Sequence, residues 1–285
     1  MNKDFAAFIL THGRPNNVIT YKKLKLSGYT GKIYIIIDNE DKTKKDYYKK
    51  FGDKVIIFDK KEVAKTFDEA DNFNDRRSIV YARNVCFSIA KDLGLKYFIQ
   101  LDDDYFEFNY RLDNDLNYVT GKYVKNLDVI FKSMVSFMQS NKQVSSIAMA
   151  QCGDFIGGAN GNLARKKTLK RKAMNTFVCS VDRPFKFIGR INEDVTTYTN
   201  RASVGLVFFT IPHLAINQRD TQSNKGGMTD IYLNNGTYIK SFYSVMFSPS
   251  CVKVSLMGET RKRLHHRVSW NNAVPKILKE EHKKI

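Results

Sequence analysis

The run Lys96-Tyr97-Phe98-Ile99-Gln100-Leu101 is apolar and aromatic, follows Gly94, and stops at three consecutive carboxylates, Asp102, Asp103 and Asp104. A short run of this kind predicts a buried strand with the aspartates at its C-terminal end. That is the end of an open α/β sheet at which ligands bind. Adjacent carboxylates repel one another, and a divalent cation relieves the repulsion. Extended backbone points alternate side chains the same way, which makes Asp102 and Asp104 the candidate metal ligands. An acidic triplet on a surface loop needs only water around it, so the strand in front is what gives these three their weight.

Three earlier runs repeat the pattern. Residues 5–10 form an apolar strand that runs into Thr11-His12-Gly13-Arg14-Pro15 and then a polar, amphipathic stretch through Leu26. A loop there can offer backbone N–H groups and Arg14 to a phosphate or a base, although Gly13 and Pro15 are also ordinary turn residues. Residues 31–38 are β-branched at nearly every position, as in a strand covered on both faces, and end in Asp38. Residues 54–59 end in Asp59. Asp38 can accept hydrogen bonds from a base or a ribose, or simply start a turn. Residues 76–93 carry apolar side chains at the spacing of one helical face, with Gly94 as the stop. Arg76, Arg77 and Arg83 lie near the start of that helix, where they would meet an anionic ligand or be solvated. A second helix over 123–139 precedes a strand at 145–150, and the β/α alternation predicts one mostly parallel sheet.

Beyond residue 150 the signals change. Residues 155–162 are glycine-rich, lack the lysine and hydroxyl of a P-loop and spell no dinucleotide fingerprint, so they read as a backbone-lined loop near a ligand. They open the basic cluster Arg165, Lys166, Lys167, Lys170, Arg171 and Lys172. Glu193 and Asp194 stand at the predicted start of a helix, where its dipole favours carboxylates. Residues 205–211 predict a further strand, and 218–236 turn polar and glycine-rich, as in a mobile loop over a site. Basic residues 261–263 and 267 flank His265 and His266 and precede the only tryptophan, Trp270. Basic residues with an aromatic neighbour suit nucleic acid.

Charge narrows the partners. A formal net charge of +18 on 285 residues favours polyanions such as nucleic acid, anionic lipid or phosphorylated ligands. No segment approaches the roughly 20 apolar residues that cross a bilayer, and the N-terminus lacks a signal-peptide pattern, so a cytoplasmic protein is expected. Cys86, Cys152, Cys179 and Cys251 are far apart, with no paired spacing for zinc or redox work, and are expected to be small buried or half-buried side chains without disulfides.

Taken in order, the Thr11–Pro15 loop, Asp38, Ala82-Arg83-Asn84, Asp102-Asp103-Asp104, Gly157-Gly158-Ala159-Asn160, Glu193-Asp194 and His265-His266 resemble the GT-A-fold nucleotide-sugar glycosyltransferases. The Thr-His-Gly-Arg-Pro loop and the triple aspartate look more narrowly like the bacteriophage DNA hydroxymethylpyrimidine glycosyltransferases of the TET/JBP-associated type. The resemblance implies a GT-A-like Rossmann-type sheet over residues 1–250, with a nucleotide-sugar half (1–105), an acceptor half (106–250) and a basic C-terminal segment (251–285) that completes the site. It implies a manganese or magnesium ion held by Asp102 or Asp104 together with the diphosphate of a UDP-linked donor, with His266, or else His265, completing the shell. Thr11, Gly13, Arg14, Asp38, Arg83, Asp102 and Asp103 would bind the nucleotide-sugar. In inverting members Asp194, beside Glu193, would take the proton of the acceptor hydroxyl; a retaining member needs no base on that face. Gly158, Asn160 and the basic cluster 165–172 would meet double-stranded DNA with modified bases, in the cytoplasm of a phage-infected bacterium. Two alternatives stay open: transfer to a surface glycan or lipopolysaccharide, and a nucleic-acid-binding metalloprotein or nuclease. A nuclease would gather its acids around a two-metal centre, whereas here they are split between a triplet and a remote pair.

Overall fold

The computed structural model describes residues 3–218, 228–236, 238–258 and 262–274. In chain order the strands and α-helices begin with β1 (Phe5–Leu10), α1 (Ile19–Leu26), β2 (Lys32–Asp38), α2 (Lys44–Phe51), β3 (Val55–Phe58), α3 (Lys60–Ala64), α4 (Val80–Asp92) and β4 (Tyr97–Asp102). There follow β5 (Tyr105–Leu112), β6 (Tyr118–Tyr123), α5 (Leu127–Ser140), β7 (Val144–Gln151), α6 (Asn162–Lys166), β8 (Phe177–Ser180) and α7 (Glu193–Ala202). The chain continues through β9 (Val207–Gln218), α8 (Met228–Asn235), α9 (Ile239–Phe247), β10 (Val252–Met257) and β11 (Arg263–Val268).

Nine strands form one sheet in the order β3-β2-β1-β4-β8-β7-β9-β5-β6, and β10 and β11 form a separate hairpin. The parallel pairs β3–β2, β2–β1, β1–β4 and β7–β9, with antiparallel pairs on both sides of β8 and of β5, leave only β8 and β5 running against the rest. The mostly parallel α/β sheet expected from the sequence is therefore what the chain forms.

Alternation along β1 explains the layers. Phe5, Ala7 and Ile9 enter one apolar cluster with Leu24 of α1, Tyr47 and Phe51 of α2, and Phe131 and Met134 of α5. Ala6, Phe8 and Leu10 enter another with Val80, Tyr81 and Phe87 of α4 and Val195 and Tyr198 of α7. Each such buried aliphatic or aromatic side chain contributes roughly 1.5–3 kcal/mol. The sheet is thus covered on both faces, as the β-branched composition of 31–38 requires.

One loop contact ties the end of β8 to the turn between α5 and β7. Arg183, just after β8, donates through Nη1 to the carbonyls of Asn141 (3.2 Å), Lys142 (2.7 Å) and Val144 (2.8 Å) and through Nη2 to that of Met138 (3.0 Å), capping the end of α5. These carbonyls lie where a helix C-terminus concentrates negative potential. Arg183→Ala is expected to cost roughly 2 kcal/mol, read as a lower denaturant midpoint at constant slope. A change under about 0.5 kcal/mol would show that water replaces the guanidinium.

Two expectations are corrected here. The predicted mobile loop over 218–236 contains a helix, α8, because Met228, Ile231 and Tyr232 pack against Ile191, Ile239 and Tyr243; positions 219–227 lie outside the described residues. Cys152 is exposed, while Cys86, Cys179 and Cys251 are buried.

Candidate active site

Because β1, β2, β4 and β7 run the same way, their C-terminal ends bring Thr11, Asp38, Asp102 and Gln151 to one edge. The reversed strands β8 and β5 begin there, at Phe177 and Tyr105. The acidic triplet is a turn at this edge, and Thr20 in the first turn of α1 pins it. Its Oγ1 donates to the Asp102 carbonyl (2.7 Å) and accepts from the Tyr105 N–H (2.9 Å), and its own N–H donates to the Asp103 carbonyl (3.1 Å).

The three carboxylates part company. Asp103 turns inward and is 2% exposed; it accepts from Thr11 Oγ1 (2.5 Å) and pairs with Arg14 Nη2 (3.2 Å). Burial pushes its carboxyl up to about 6, against the pull of Arg14 and Thr11. It anchors the loop, and its carboxylate is spent on Thr11 and Arg14 rather than turned outward as the sequence reading expected. Asp102 stays partly open, its side chain 23% exposed, and accepts from Arg83 Nη2 at 3.1 Å. Burial raises it to about 6; Arg83 opposes the rise, and the charges of Asp104 and Glu193 add to it.

The loop after β1 is built from the same edge. Gly13 sits at φ +69°, a left-handed conformation that glycine adopts without a Cβ clash. Its N–H donates to Asp41 (2.7 Å), and the Arg14 N–H donates to the Tyr47 hydroxyl (2.9 Å). These two backbone donors are therefore spent inside the protein, which corrects the expectation that they face a phosphate; the half-exposed Arg14 guanidinium is what the loop presents. Asp38 is buried too. It lies 2.7 Å from His12 Nδ1 and 3.2 Å from Lys60 Nζ, and accepts from the Glu40 N–H (3.0 Å). Burial raises its pKa, and the bonds and charges of His12 and Lys60 more than reverse this, leaving the carboxyl below its ordinary value. Arg76 forks onto Glu40 and Arg77 onto Asp75, so neither offers an unneutralised charge to a ligand.

Arg83 is the connection between the two acidic motifs. It is 2% exposed, in the first turn of α4. Its Nε donates to Glu193 (2.9 Å) while Nη2 holds Asp102, and its guanidinium lies over Phe177 (4.8 Å) and Phe187 (5.8 Å). Asn84 fixes the second ring by exchanging two hydrogen bonds with the Phe187 backbone, 2.9 and 2.8 Å. The expected ligand arginine is thus a buried bridge between strand end and helix start.

Glu193 and Asp194 form the first turn of α7, behind Asn192 at φ +60°. Asp194 accepts from the Val195 N–H (2.7 Å). Burial, then the charge of Glu193, pushes its carboxyl well above the usual range, while Val195, Arg83 and Lys240 pull it back only in part. A carboxylate so raised can exchange a proton near neutral pH, as a general base must.

The C-terminal hairpin reaches the same helix start. His266 Nδ1 lies 3.5 Å from Asn192 Nδ2, whose amide also donates to Ser244 Oγ (2.6 Å). Burial, then His265, Lys240 and Lys172, lowers His266 to about 3, so it is neutral. Among the described residues no three His, Cys, Asp or Glu side chains converge closely enough to hold a metal by themselves. Asp102, Asp104 and His266 therefore do not form a finished three-ligand set. They do suit a cation shared with a substrate, because magnesium-like dications take one or two carboxylates plus substrate phosphates. The repulsion between Asp102 and Asp104, which adds to the effect of burial on Asp102, is what such a cation would relieve.

The basic stretch after the glycine-rich loop is less uniform than its sequence. The loop turns at Gly157 (φ +90°), where a Cβ would lie 3.2 Å from the Gly161 Cα, and Gly158 and Asn160 form a short 3-10 turn. Arg165, Lys166 and Lys167 are exposed. Lys170 (3.4 Å) and Lys172 both pair with Asp154, and Arg171 stacks on Trp270 (5.5 Å) while donating to its carbonyl (2.5 Å). The expected six-residue phosphate grip is therefore three open cations and three committed ones.

The profile of the TET-associated glycosyltransferases matches residues 5–227, from the first strand to beyond the last strand of the main sheet. The chain belongs to that family. It is a glycosyltransferase. No curated protein sequence matches it. Its structure is similar to glucosyl-3-phosphoglycerate synthase from Mycobacterium tuberculosis in two complexes. One holds Mn2+, UDP and phosphoglyceric acid, with TM-score 0.46, 8% identity, and 94% of this chain and 87% of that chain covered. The other holds Mn2+, UDP-glucose and glycerol 3-phosphate, with TM-score 0.46, 8% identity, and 89% and 84% covered. No helix among the described residues of the glycosyltransferase is long and apolar enough to cross a membrane.

Several residues that shape this edge carry little or no sequence signature. Thr20, Tyr47, Asp41 and Lys60 order the loops that follow β1, β2 and β4 through the contacts above, and Lys240 of α9 faces Asp194 and the histidines. Only Asp41 had a signal, as a second acid three positions past a strand end.

Proposed function

We propose that this TET-associated glycosyltransferase moves a sugar from a UDP-linked donor, with manganese or magnesium at Asp102 and Asp104, onto the hydroxyl of a hydroxymethyl pyrimidine in duplex DNA, inside a bacterial cell. The observation that carries the proposal is the Arg83 bridge, which joins Asp102 at the strand edge to Glu193 and so sets Asp194 beside the same edge. Residues 1–105 form the donor half and 106–250 the acceptor half, and the C-terminal hairpin meets the start of α7 beside the acidic pair. The Arg14 guanidinium, held by Asp103, attracts the donor's phosphates, and Asp38 and Lys60 keep the neighbouring loop in shape. Asp194 accepts the proton of the acceptor hydroxyl as its oxygen attacks the sugar. A dication at Asp102 and Asp104 would neutralise the charge growing on the departing nucleotide.

The test is incubation of the protein with UDP-sugars, Mn2+ and a duplex carrying hydroxymethyl pyrimidine, followed by nucleoside mass spectrometry. A nucleoside heavier by one sugar is expected. Asp104→Asn is expected to abolish metal-dependent donor binding in calorimetry without lowering the melting temperature; unchanged affinity removes Asp104 from the metal site. Transfer to lipopolysaccharide but not to duplex would replace DNA by a surface glycan.

A further inference from the structure

We infer that the hairpin β10–β11 is a duplex-gripping ribbon, a second DNA contact separate from residues 165–167. The inference rests on the DNA reading above and names the element that carries it. Cross-strand pairing sets Lys253 directly opposite Arg267, and Met257 opposite Arg263. Alternation puts Lys253, Arg263 and Arg267 on one face of the ribbon, and all three are exposed, as is Lys262 at its turn. The other face carries Val252, which is buried, and Val268, which packs beside it against Trp270. None of the four cations has an ion-pair partner among the described residues; Arg261 lies outside them.

Like charges directly opposite one another destabilise an antiparallel pair. The Lys253–Arg267 pair therefore costs the hairpin stability, and an anionic partner is what offsets that cost. A two-stranded ribbon also has the width that a DNA major groove admits. Position completes the argument. His266, on the inner face, meets Asn192 at the start of α7, one residue before the Glu193–Asp194 pair. Trp270, just past the ribbon, stacks on Tyr198 of α7 (5.7 Å) and carries Arg171. The ribbon and Arg171 thus both flank α7, the helix that bears the acidic pair. At the ribbon's far end Leu256, opposite Leu264, is 66% exposed, which a membrane surface would also accept, so the experiment separates the two.

The experiment titrates a short hydroxymethylated duplex against wild type and Lys253→Gln/Arg267→Gln over a range of salt. Two lost phosphate contacts should weaken binding about tenfold at low salt and make the log–log salt slope shallower by about 1.8, at roughly 0.9 per contact. Removing the opposed charges should leave the melting temperature equal or higher, which keeps misfolding from imitating the result; Arg263→Gln alone should take about 0.9 from the slope. If wild type binds duplex and the double variant binds it equally, with the same slope, the ribbon is not a contact and the DNA reading stands. If wild type binds no duplex and glycosylates none, both fall. Preference of the wild type for vesicles of anionic phospholipid over duplex, lost in the variant, would overturn the assignment in favour of a membrane.

Discussion

Asp194→Asn is expected to lower sugar transfer by roughly 10²–10⁴-fold, the usual contribution of a positioned proton acceptor, while donor affinity stays within about twofold. That loss corresponds to about 3–5 kcal/mol of barrier. It follows from the place of the carboxyl: buried, pressed upward by Glu193, and only partly compensated by Arg83 and Lys240, with Tyr198 and Tyr232 as its other titratable neighbours. The sign of the pH dependence is fixed by the same arrangement. The base works deprotonated, so wild-type turnover should rise with pH through the raised pKa and then level off, and the Asn variant should lack that limb.

Stability should move the other way. A carboxyl whose folded pKa lies above its unfolded one holds its proton more tightly when folded, so its contribution to stability declines as pH rises between the two values. Asp194→Asn removes that decline and should leave the melting temperature at neutral pH equal or higher. A fall in turnover below about tenfold, or a variant that keeps the pH limb, would assign the proton transfer to another group.

How much of this was legible in the sequence depends on the physical range of each signal. The strands β1 to β4 and β7 are continuous apolar runs between polar ends, and such runs carry their own evidence. The reversed strands were harder. Phe177–Ser180 is only four residues long, and its direction is set by partners far away in sequence, Tyr97–Gln100 and Ser146–Ile147. Tyr105–Leu112 does alternate, with Phe106, Phe108 and Tyr110 set against Glu107, Asn109 and Arg111, and that period of two could have been read. The acidic triplet announced an edge but not that its middle member would turn inward, because that depends on Thr11 and Arg14 arriving from β1. The basic run 165–172 misled for a related reason: charge density is local, whereas neutralisation by Asp154 and capture by Trp270 are tertiary. The same distance hid Arg83, whose partners lie 19 and 110 positions along the chain.

Arg83→Met is the substitution expected to damage the fold most. Methionine can fill much of the space beside Phe177 and Phe187, so the loss is chiefly electrostatic: Asp102 and Glu193 would remain together without their shared cation. Breaking a buried pair by removing one partner typically costs about 3–5 kcal/mol, a large share of the roughly 5–15 kcal/mol that holds a domain together. For a chain of this size that should lower the melting temperature by roughly 5–8 °C. Arg83→Lys should recover little, because one ammonium cannot reproduce the two-armed contact to both carboxylates. The decisive comparison is a double-mutant cycle with Glu193→Gln. If the guanidinium acts by compensating the two acids, Arg83→Met/Glu193→Gln should be more stable than Arg83→Met alone, since one of the stranded charges is gone. Strict additivity of the two changes, or a single-variant cost under about 1 kcal/mol, would mean that Arg83 is held by its aromatic neighbours and that the strand edge and the start of α7 are joined by something else.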